Sequence, residues 1–168
     1  RWMSARLSAM RALVDQAAAA ADANSPALEP LSLAAKVFAS DGDWQICDLA
    51  VQLHGGSGYI EETGGSLLLR DARITRIFEG ANDVLLTRLG QLELTRPTLA
   101  SGPAASPLAE LRHLGLKVLR DPLRLHRAGR LAVLGLAQAA VSSSSAPHDD
   151  EAIAQLEHEI AVLALSAQ

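Results

Sequence analysis

One carboxylate, Glu79, has neighbours that would let it do acid–base chemistry. It follows the apolar pair Ile77-Phe78 and precedes Gly80. A carboxylate takes a proton from carbon where water is excluded, which apolar neighbours can achieve. Gly80 lets a flat ligand approach the backbone, and free N–H groups at the next helix start can bind a carbonyl or phosphate oxygen. An acid near a helix start is more often a cap or a solvated residue, so both interpretations stay open.

A second segment carries three glycines directly after an apolar stretch: Gln52-Leu53-His54-Gly55-Gly56-Ser57-Gly58-Tyr59. Glycines at this place most often end a helix, and the alternative is a close backbone approach to a cofactor. The segment is neither a P-loop, since no Lys-Ser/Thr follows, nor a dinucleotide fingerprint, since no strand precedes it. Hydrogen-bonded packing explains His54 more simply than ligand binding. The five histidines lack metal-ligand spacing, so no metal site is predicted.

The elements that must position these residues are predicted to be helices. A first helix should end near Pro26, and a second should run from near Pro30 to Gly55. Apolar residues at steps of three and four predict the buried face of the first helix: Met3, Leu7, Met10, Val14, Ala17 and Ala21. The buried stripe of the second helix is predicted to contain Val37, Trp44, Cys47 and Val51.

Shorter elements follow. We predict a loop over 59–65, a helix over 67–73, an extended segment over 74–78 and a helix over 82–93. Proline, glycine and small polar residues mark 96–107 as a linker, and a later helical stretch should break at Asp121-Pro122. The sequence therefore predicts an all-α fold. Its parts are an antiparallel helical bundle over residues 1–95, the linker over 96–107, and an additional helical region over 108–168.

Composition narrows the class of protein. The chain has 168 residues, of which 49% are hydrophobic and 3% aromatic, and its alanine and leucine content favours helices. A net charge of −4 gives no reason to expect nucleic acid as a partner. Cys47 is the single cysteine, which fits a reducing compartment, and arginine exceeds lysine; we predict a bacterial cytoplasmic protein. The chain begins without Met and in mid-pattern, so we expect a piece of a longer protein.

Together the motifs resemble the C-terminal domain of acyl-CoA dehydrogenases, flavoenzymes that oxidise acyl thioesters between the α and β carbons. The resemblance spans residues 1–94. It rests on Gln-x-x-Gly-Gly-x-Gly-Tyr at 52–59, Arg-Asp-Ala-Arg-Ile at 70–74 and Phe-Glu-Gly-x-Asn-Asp at 78–83. Two places depart from the family pattern. Ala81 stands where threonine is usual, and Gly64-Gly65-Ser66 replaces a usual Pro-x-Glu-Arg.

The resemblance implies roles for individual residues. Glu79 would abstract the α proton while a hydride leaves the β carbon for the flavin of FAD, and its backbone N–H would help to polarise the thioester carbonyl. Gly80 would lie against the acyl-CoA. The FAD of the same subunit would be lined by Ala81, Asn82 and Asp83. The FAD of a neighbouring subunit would be contacted by Gln52, Leu53, His54, Gly55 and Gly56.

The resemblance also implies partners: an acyl-CoA substrate converted to trans-2-enoyl-CoA, an electron-transfer flavoprotein, and a homo-dimer or tetramer. Since the family's N-terminal and middle domains are not in this sequence, we expect this chain alone to be inactive. The region over 108–168 resembles the very-long-chain branch, where it implies dimer packing and membrane attachment. The alternative is a helix packed on its own bundle with solvated arginines. Two other functions stay open, a non-catalytic helical assembly module and an acyl-CoA oxidase.

Overall fold

The computed structural model describes residues 1–95, 108–109, 111, 121–144 and 149–165, and the regular structure in them is helical. The all-α prediction is confirmed. The predicted linker over 96–107 lies outside the described residues. The elements are α1 (Trp2–Asp22), α2 (Leu28–His54), α3 (Gly56–Tyr59), a 3₁₀ turn (Glu61–Thr63), α4 (Gly65–Thr75), α5 (Asn82–Thr95), α6 (Pro122–Ser142) and α7 (Asp149–Leu165).

The five long helices share one hydrophobic core. In it α1 packs on α2, α6 and α7, while α5 packs on α2 and α6. The shorter α4 lies against α2. Because α2 touches both α4 and α5, it supports the segment that joins them, which is the segment that carries Glu79.

Helices α5 and α6 cross closely through a pair of glycines. A Cβ added at Gly90 would lie 2.1 Å from the carbonyl oxygen of Leu125, and one at Gly129 would lie 2.0 Å from that of Leu86. These distances leave room for hydrogen alone, so the two backbones touch directly. At the start of α6, Asp121 Oδ1 accepts hydrogen bonds from the N–H groups of Leu123 and Arg124. A helix therefore begins at Pro122, where a break is predicted, and residues 112–120 before it lie outside the described part of the chain.

The predicted buried face of α1 is wrong in part. Leu7, Val14 and Ala21 are exposed, whereas Met10 and Ala17 are partly buried and pack against the core. The fully buried residues of this helix are Ala5, Arg6, Ala9, Leu13 and Ala20. Small alanines let α1 approach its neighbours closely, which the larger side chains would prevent. In α2, Val37 is buried as predicted, whereas Trp44, Cys47 and Val51 are only partly buried.

The predicted extended segment over 74–78 is also wrong. Ile74 belongs to α4, and its carbonyl oxygen accepts hydrogen bonds from the N–H groups of Ile77 (2.9 Å) and Phe78 (3.1 Å). The chain therefore turns back after α4. Local hydrogen bonds prevail here because the described residues offer this segment no strand to pair with. The loop predicted over 59–65 is shorter than expected, since α3, the 3₁₀ turn and the first residue of α4 occupy much of it.

The apolar residues of α6 pack inside the bundle. Leu125, Leu131, Leu134 and Leu136 are buried, and Leu123 is exposed. This arrangement favours the alternative in which the helix packs on its own bundle. Within the described ranges, no helix has the length and apolar character needed to cross a membrane.

Candidate active site

Glu79 lies in a turn between α4 and α5 with an unusual backbone. Its φ is +55°, and that of Gly80 is +98°. Among the described residues, Asn24 is the other non-glycine residue with positive φ. A left-handed conformation costs a residue with a Cβ about 1–2 kcal/mol, so the surroundings must hold Glu79 in place.

Helix α2 holds the C-terminal end of this turn. The ammonium of Lys36 donates to the carbonyl oxygen of Gly80 and to Asn82 Oδ1, each at 2.7 Å. The Asn82 amide nitrogen donates to Ser40 Oγ and Asp41 Oδ1, each at 2.9 Å. Asn82 is only 5% exposed, so the hydrogen bonds of its side chain are shielded from competing water. The first residue of α5 is thereby fastened to α2.

The N-terminal end of the turn is held by the same helix. Arg76 Nε donates to Asp41 Oδ1 at 2.6 Å, and its guanidinium lies over the Trp44 ring, 5.0 Å from the centroid. The carbonyl oxygen of Arg76 accepts a hydrogen bond from the N–H of Asn82 at 3.1 Å. The two ends of the Glu79 turn are therefore hydrogen-bonded to each other, and both are anchored to neighbouring positions of α2.

The turn presents free donors as well as the carboxylate. The backbone N–H groups of Glu79, Gly80 and Ala81 have no hydrogen-bond partner within the described part of the chain. Burial lowers the pKa of Lys36 from its usual value, and the nearby charge of Asp41 opposes that shift. Consecutive unpaired N–H groups suit a carbonyl or an anionic oxygen.

The apolar neighbours of Glu79 do not exclude water by themselves. Ile77 and Phe78 are each half-exposed, and Glu79 is exposed. The desolvation predicted from the sequence is therefore not supplied by the described residues. Any dry environment for this carboxylate must come from a surface that packs against the turn.

The glycine-rich segment forms the far end of α2. The helix ends at His54, and Gly55 has a φ of +58° and donates to the carbonyl oxygen of Gln52 at 3.2 Å. His54 Nδ1 lies 2.8 Å from the carbonyl oxygen of Ala50, so the imidazole is hydrogen-bonded within the helix. Gln52, Leu53, His54, Gly55 and Gly56 are all exposed. A Cβ added at Gly55 or Gly56 would meet no atom within 4 Å. The segment acts as a helix end, and its outer surface is open to a ligand.

The two candidate groups lie far apart. His54 comes 18 residues after Lys36 on the same helix, which corresponds to about 27 Å at about 1.5 Å per residue. The structure thus brings Glu79, Gly80, Ala81, Asn82 and Asp83 together and places the glycine-rich segment elsewhere. The two groups must contact different ligands or different ends of a long one.

Several residues of the site were not identified from the sequence. Lys36, Ser40 and Asp41 hold the turn. The sequence feature that could have identified them is the presence of polar side chains on the inner face of an otherwise apolar helix. His126 of α6 lies with Nε2 3.2 Å from Asp83 Oδ1 and so joins the additional region to the start of α5. Its contact pairs residues 43 positions apart, and no local pattern marks it.

More than half of the chain is similar in sequence to a known protein family. Residues 2–93 match the family described as "Acyl-CoA dehydrogenase, C-terminal domain". The mouse (Mus musculus) very long-chain specific acyl-CoA dehydrogenase is 50% identical over 50 residues, which are 30% of this chain and 8% of that protein. The probable acyl-CoA dehydrogenase FadE25 of Mycobacterium tuberculosis is 42% identical over 82 residues, 49% of this chain and 21% of that protein. Bovine (Bos taurus) isobutyryl-CoA dehydrogenase is 39% identical over 83 residues, 49% of this chain and 20% of that protein. The chain thus spans about a fifth or less of the length of these relatives.

Proposed function

Because the chain belongs to the acyl-CoA dehydrogenase family, we propose that it is the C-terminal part of an FAD-dependent enzyme that converts acyl-CoA thioesters to trans-2-enoyl-CoA. Glu79 is the base that removes the α proton in this proposal. The observation that carries it is the left-handed Glu79 in a turn fastened at both ends to α2. Strained backbone that its surroundings hold in place is typical of functional sites.

The turn suits removal of a proton next to a carbonyl. A base must face the α carbon while donors receive the charge that develops on the thioester oxygen. Glu79 supplies the carboxylate, and the unpaired N–H groups of the same turn supply donors within one or two residues of it. The half-exposed side chains of Ile77 and Phe78 provide an apolar surface against which the rest of the protein or the acyl chain can pack.

The exposed residues of both groups fit contacts with FAD. Bound FAD would accept the hydride from the β carbon. The free N–H group of Ala81 and the exposed carboxylate of Asp83 can hydrogen-bond to it, while the buried side chain of Asn82 supports the turn instead. Gly55 and Gly56 leave open backbone for the FAD of a neighbouring subunit, which is consistent with their distance from Glu79. An electron-transfer flavoprotein as acceptor, and a homo-dimer or tetramer, belong to the same proposal.

The test uses the complete flavoprotein that contains this domain, purified with FAD. Acyl-CoAs of different chain lengths and branching are added without oxygen, and the visible flavin absorbance is followed. We compare wild type with Glu79→Gln and with Glu62→Gln, a control at an exposed glutamate of the 3₁₀ turn. Loss of the base should slow flavin bleaching by about 10²–10⁴-fold, and the control should bleach like wild type.

Each other outcome has a defined meaning. Equal bleaching in wild type and Glu79→Gln would place the base elsewhere. No bleaching with any acyl-CoA would favour a non-catalytic assembly module. Peroxide formation in air at the rate of substrate oxidation would identify an oxidase. The substrate that bleaches wild type fastest would define the chain-length class.

A further inference from the structure

We propose that Lys36 is a positioning residue for the Glu79 turn. By holding the carbonyl oxygen of Gly80 against α2, it turns the N–H of Ala81 and the left-handed Glu79 toward the reacting ligands. The chemical part of this inference rests on the proposed function. Its geometric part rests on the contacts of the turn alone.

The contact joins two distant parts of the chain through a charged donor. Lys36 and Gly80 are 44 positions apart, and Nζ lies 2.7 Å from the carbonyl oxygen. An ammonium has three donors and no acceptor, and Lys36 directs one to Gly80 and a second to Asn82 Oδ1. At this length both are charge-assisted bonds, which are stronger than bonds between neutral groups.

Peptide geometry turns this contact into a direction for Ala81. The Gly80 carbonyl and the Ala81 N–H belong to one planar trans peptide unit, so they point in opposite directions. Since the carbonyl faces the Lys36 ammonium, the N–H points away from that ammonium. That N–H has no partner within the described part of the chain. Lys36 therefore fixes the direction of the unpaired Ala81 N–H, which lies directly before α5.

The same contact opposes relaxation of Glu79. A glutamate at a φ of +55° gains energy by returning to negative φ. That rotation would move the neighbouring Gly80 carbonyl, which Lys36 holds at 2.7 Å. Removal of the ammonium would therefore let the turn relax and displace the carboxylate.

A second cation provides a matched control. Arg88 of α5 donates from Nη2 to Glu29 Oε1 of α2 at 2.6 Å, and both side chains are about half exposed. Like Lys36, Arg88 bridges α2 to α5, but its hydrogen bonds go to Glu29 and not to the Glu79 turn. A change seen with Lys36 variants and not with Arg88→Met reports on the turn rather than on general attachment of α5.

The experiment uses the complete flavoprotein in four forms: wild type, Lys36→Met, Lys36→Arg and Arg88→Met. Amide hydrogen exchange at Phe78 and Asn82, whose N–H groups donate to the carbonyl oxygens of Ile74 and Arg76, reports on the turn without catalysis. Anaerobic flavin reduction over a range of acyl-CoA concentrations separates the limiting rate from the half-saturation concentration.

Lys36→Met should speed exchange about 10- to 100-fold, as expected for loss of a charged hydrogen bond. It should lower the limiting rate by a similar factor with a smaller change in half-saturation. Lys36→Arg should recover most of the exchange protection and most of the limiting rate. Arg88→Met should match wild type in both measurements.

Wild-type exchange and wild-type rate in Lys36→Met would overturn the inference. Equal effects in Lys36→Met and Arg88→Met would overturn it as well. If no acyl-CoA reduces the wild-type flavin, the proposed function fails, and the exchange measurement still decides whether Lys36 positions the turn. If Lys36→Met does not fold, Lys36→Gln takes its place, because it keeps an N–H donor without charge. Because this variant removes only the charge, faster exchange would support the role of the ammonium, and wild-type exchange would overturn it.

Discussion

Arg6 of α1 and Glu159 of α7 form an ion pair in which Arg6 Nη1 lies 3.1 Å from Oε1 and 3.2 Å from Oε2. The Arg6 side chain is 5% exposed and that of Glu159 is 33% exposed. The guanidinium also lies over the Phe38 ring, 3.9 Å from its centroid. Burial lowers the pKa of Arg6, and Glu159 opposes that shift. The pair ties α7 to the core of the domain.

Glu159→Gln should leave a buried guanidinium without its counter-charge. We expect the free energy of unfolding to fall by about 2–4 kcal/mol, since breaking a buried ion pair costs about 3–5 kcal/mol and the partial exposure of Glu159 weakens the effect. Arg6→Met should cost less, because it removes the buried charge instead of stranding it. Urea denaturation measures both. Arg88→Met breaks an exposed pair and should cost at most about 1 kcal/mol. A loss no larger in Glu159→Gln than in Arg88→Met would contradict this account.

The strain at Glu79 can be measured without any ligand. Asparagine adopts left-handed backbone readily, whereas a β-branched residue does so rarely. Since the side chain is exposed, Glu79→Asn and Glu79→Val should differ mainly through the backbone. We expect the valine variant to be about 1–2 kcal/mol less stable in denaturant unfolding. Equal stabilities would mean that the turn relaxes freely.

The glycine contact between α5 and α6 predicts a strong response to one added methyl group. In Gly90→Ala the new Cβ would overlap the Leu125 carbonyl oxygen, so the helices must move apart. We expect a loss of about 2–4 kcal/mol, at the upper end of overpacking effects. Gly56→Ala is the control, because its Cβ enters open space and alanine favours helix by about 1 kcal/mol. Similar thermal unfolding of the two variants would refute the close crossing.

The thiol of Cys47 should titrate above its usual range. Burial raises the pKa of the Cys47 thiol above its usual value, and the carboxylate of Asp43, with Oδ1 3.8 Å from Sγ, raises it further. The folded state thus favours the protonated thiol. The resulting stability is present below the pKa of the unfolded chain and is lost as pH rises through the folded pKa. Iodoacetamide labelling of Cys47, followed by mass spectrometry, should show a midpoint above that of the denatured protein, and this midpoint should fall in Asp43→Asn. A denatured sample serves as the reference, and a folded midpoint equal to the denatured one would exclude the effect.

Local signals were sufficient for most helix ends. Pro26 and Gly55 mark the end of α1 and of α2, and Asp121-Pro122 marks the start of α6 as predicted. The prediction of an extended segment over 74–78 is wrong because its apolar, β-branched residues suit a strand, whereas the described residues contain no strand with which it could pair. The face of α1 was misjudged for a similar reason. Alanine is weak in a hydrophobic pattern, yet it allows the closest helix contacts.

The candidate site was predictable only in part. Glu79 and the residues after it are adjacent in sequence, and a motif can identify them together. The support of that turn depends on Lys36, Ser40 and Asp41, whose contacts span more than 30 positions. Such contacts depend on how α2, α4 and α5 pack, which periodicity does not specify. The left-handed backbone at Glu79 follows from that support, so it was not predictable either.

Helix α2 fixes the rotation, about its own axis, between the Glu79 turn held by Lys36 and the glycine-rich segment at His54. From Lys36 to His54 it advances 18 residues, or five turns at about 3.6 residues per turn, so both residues lie on the same side of the helix. A substitution in α2 leaves that rotation unchanged. An inserted or deleted residue between them would rotate one end relative to the other by about 100° and shift it by about 1.5 Å. Related chains can therefore change many side chains along α2, but its residue count between these two points should stay constant.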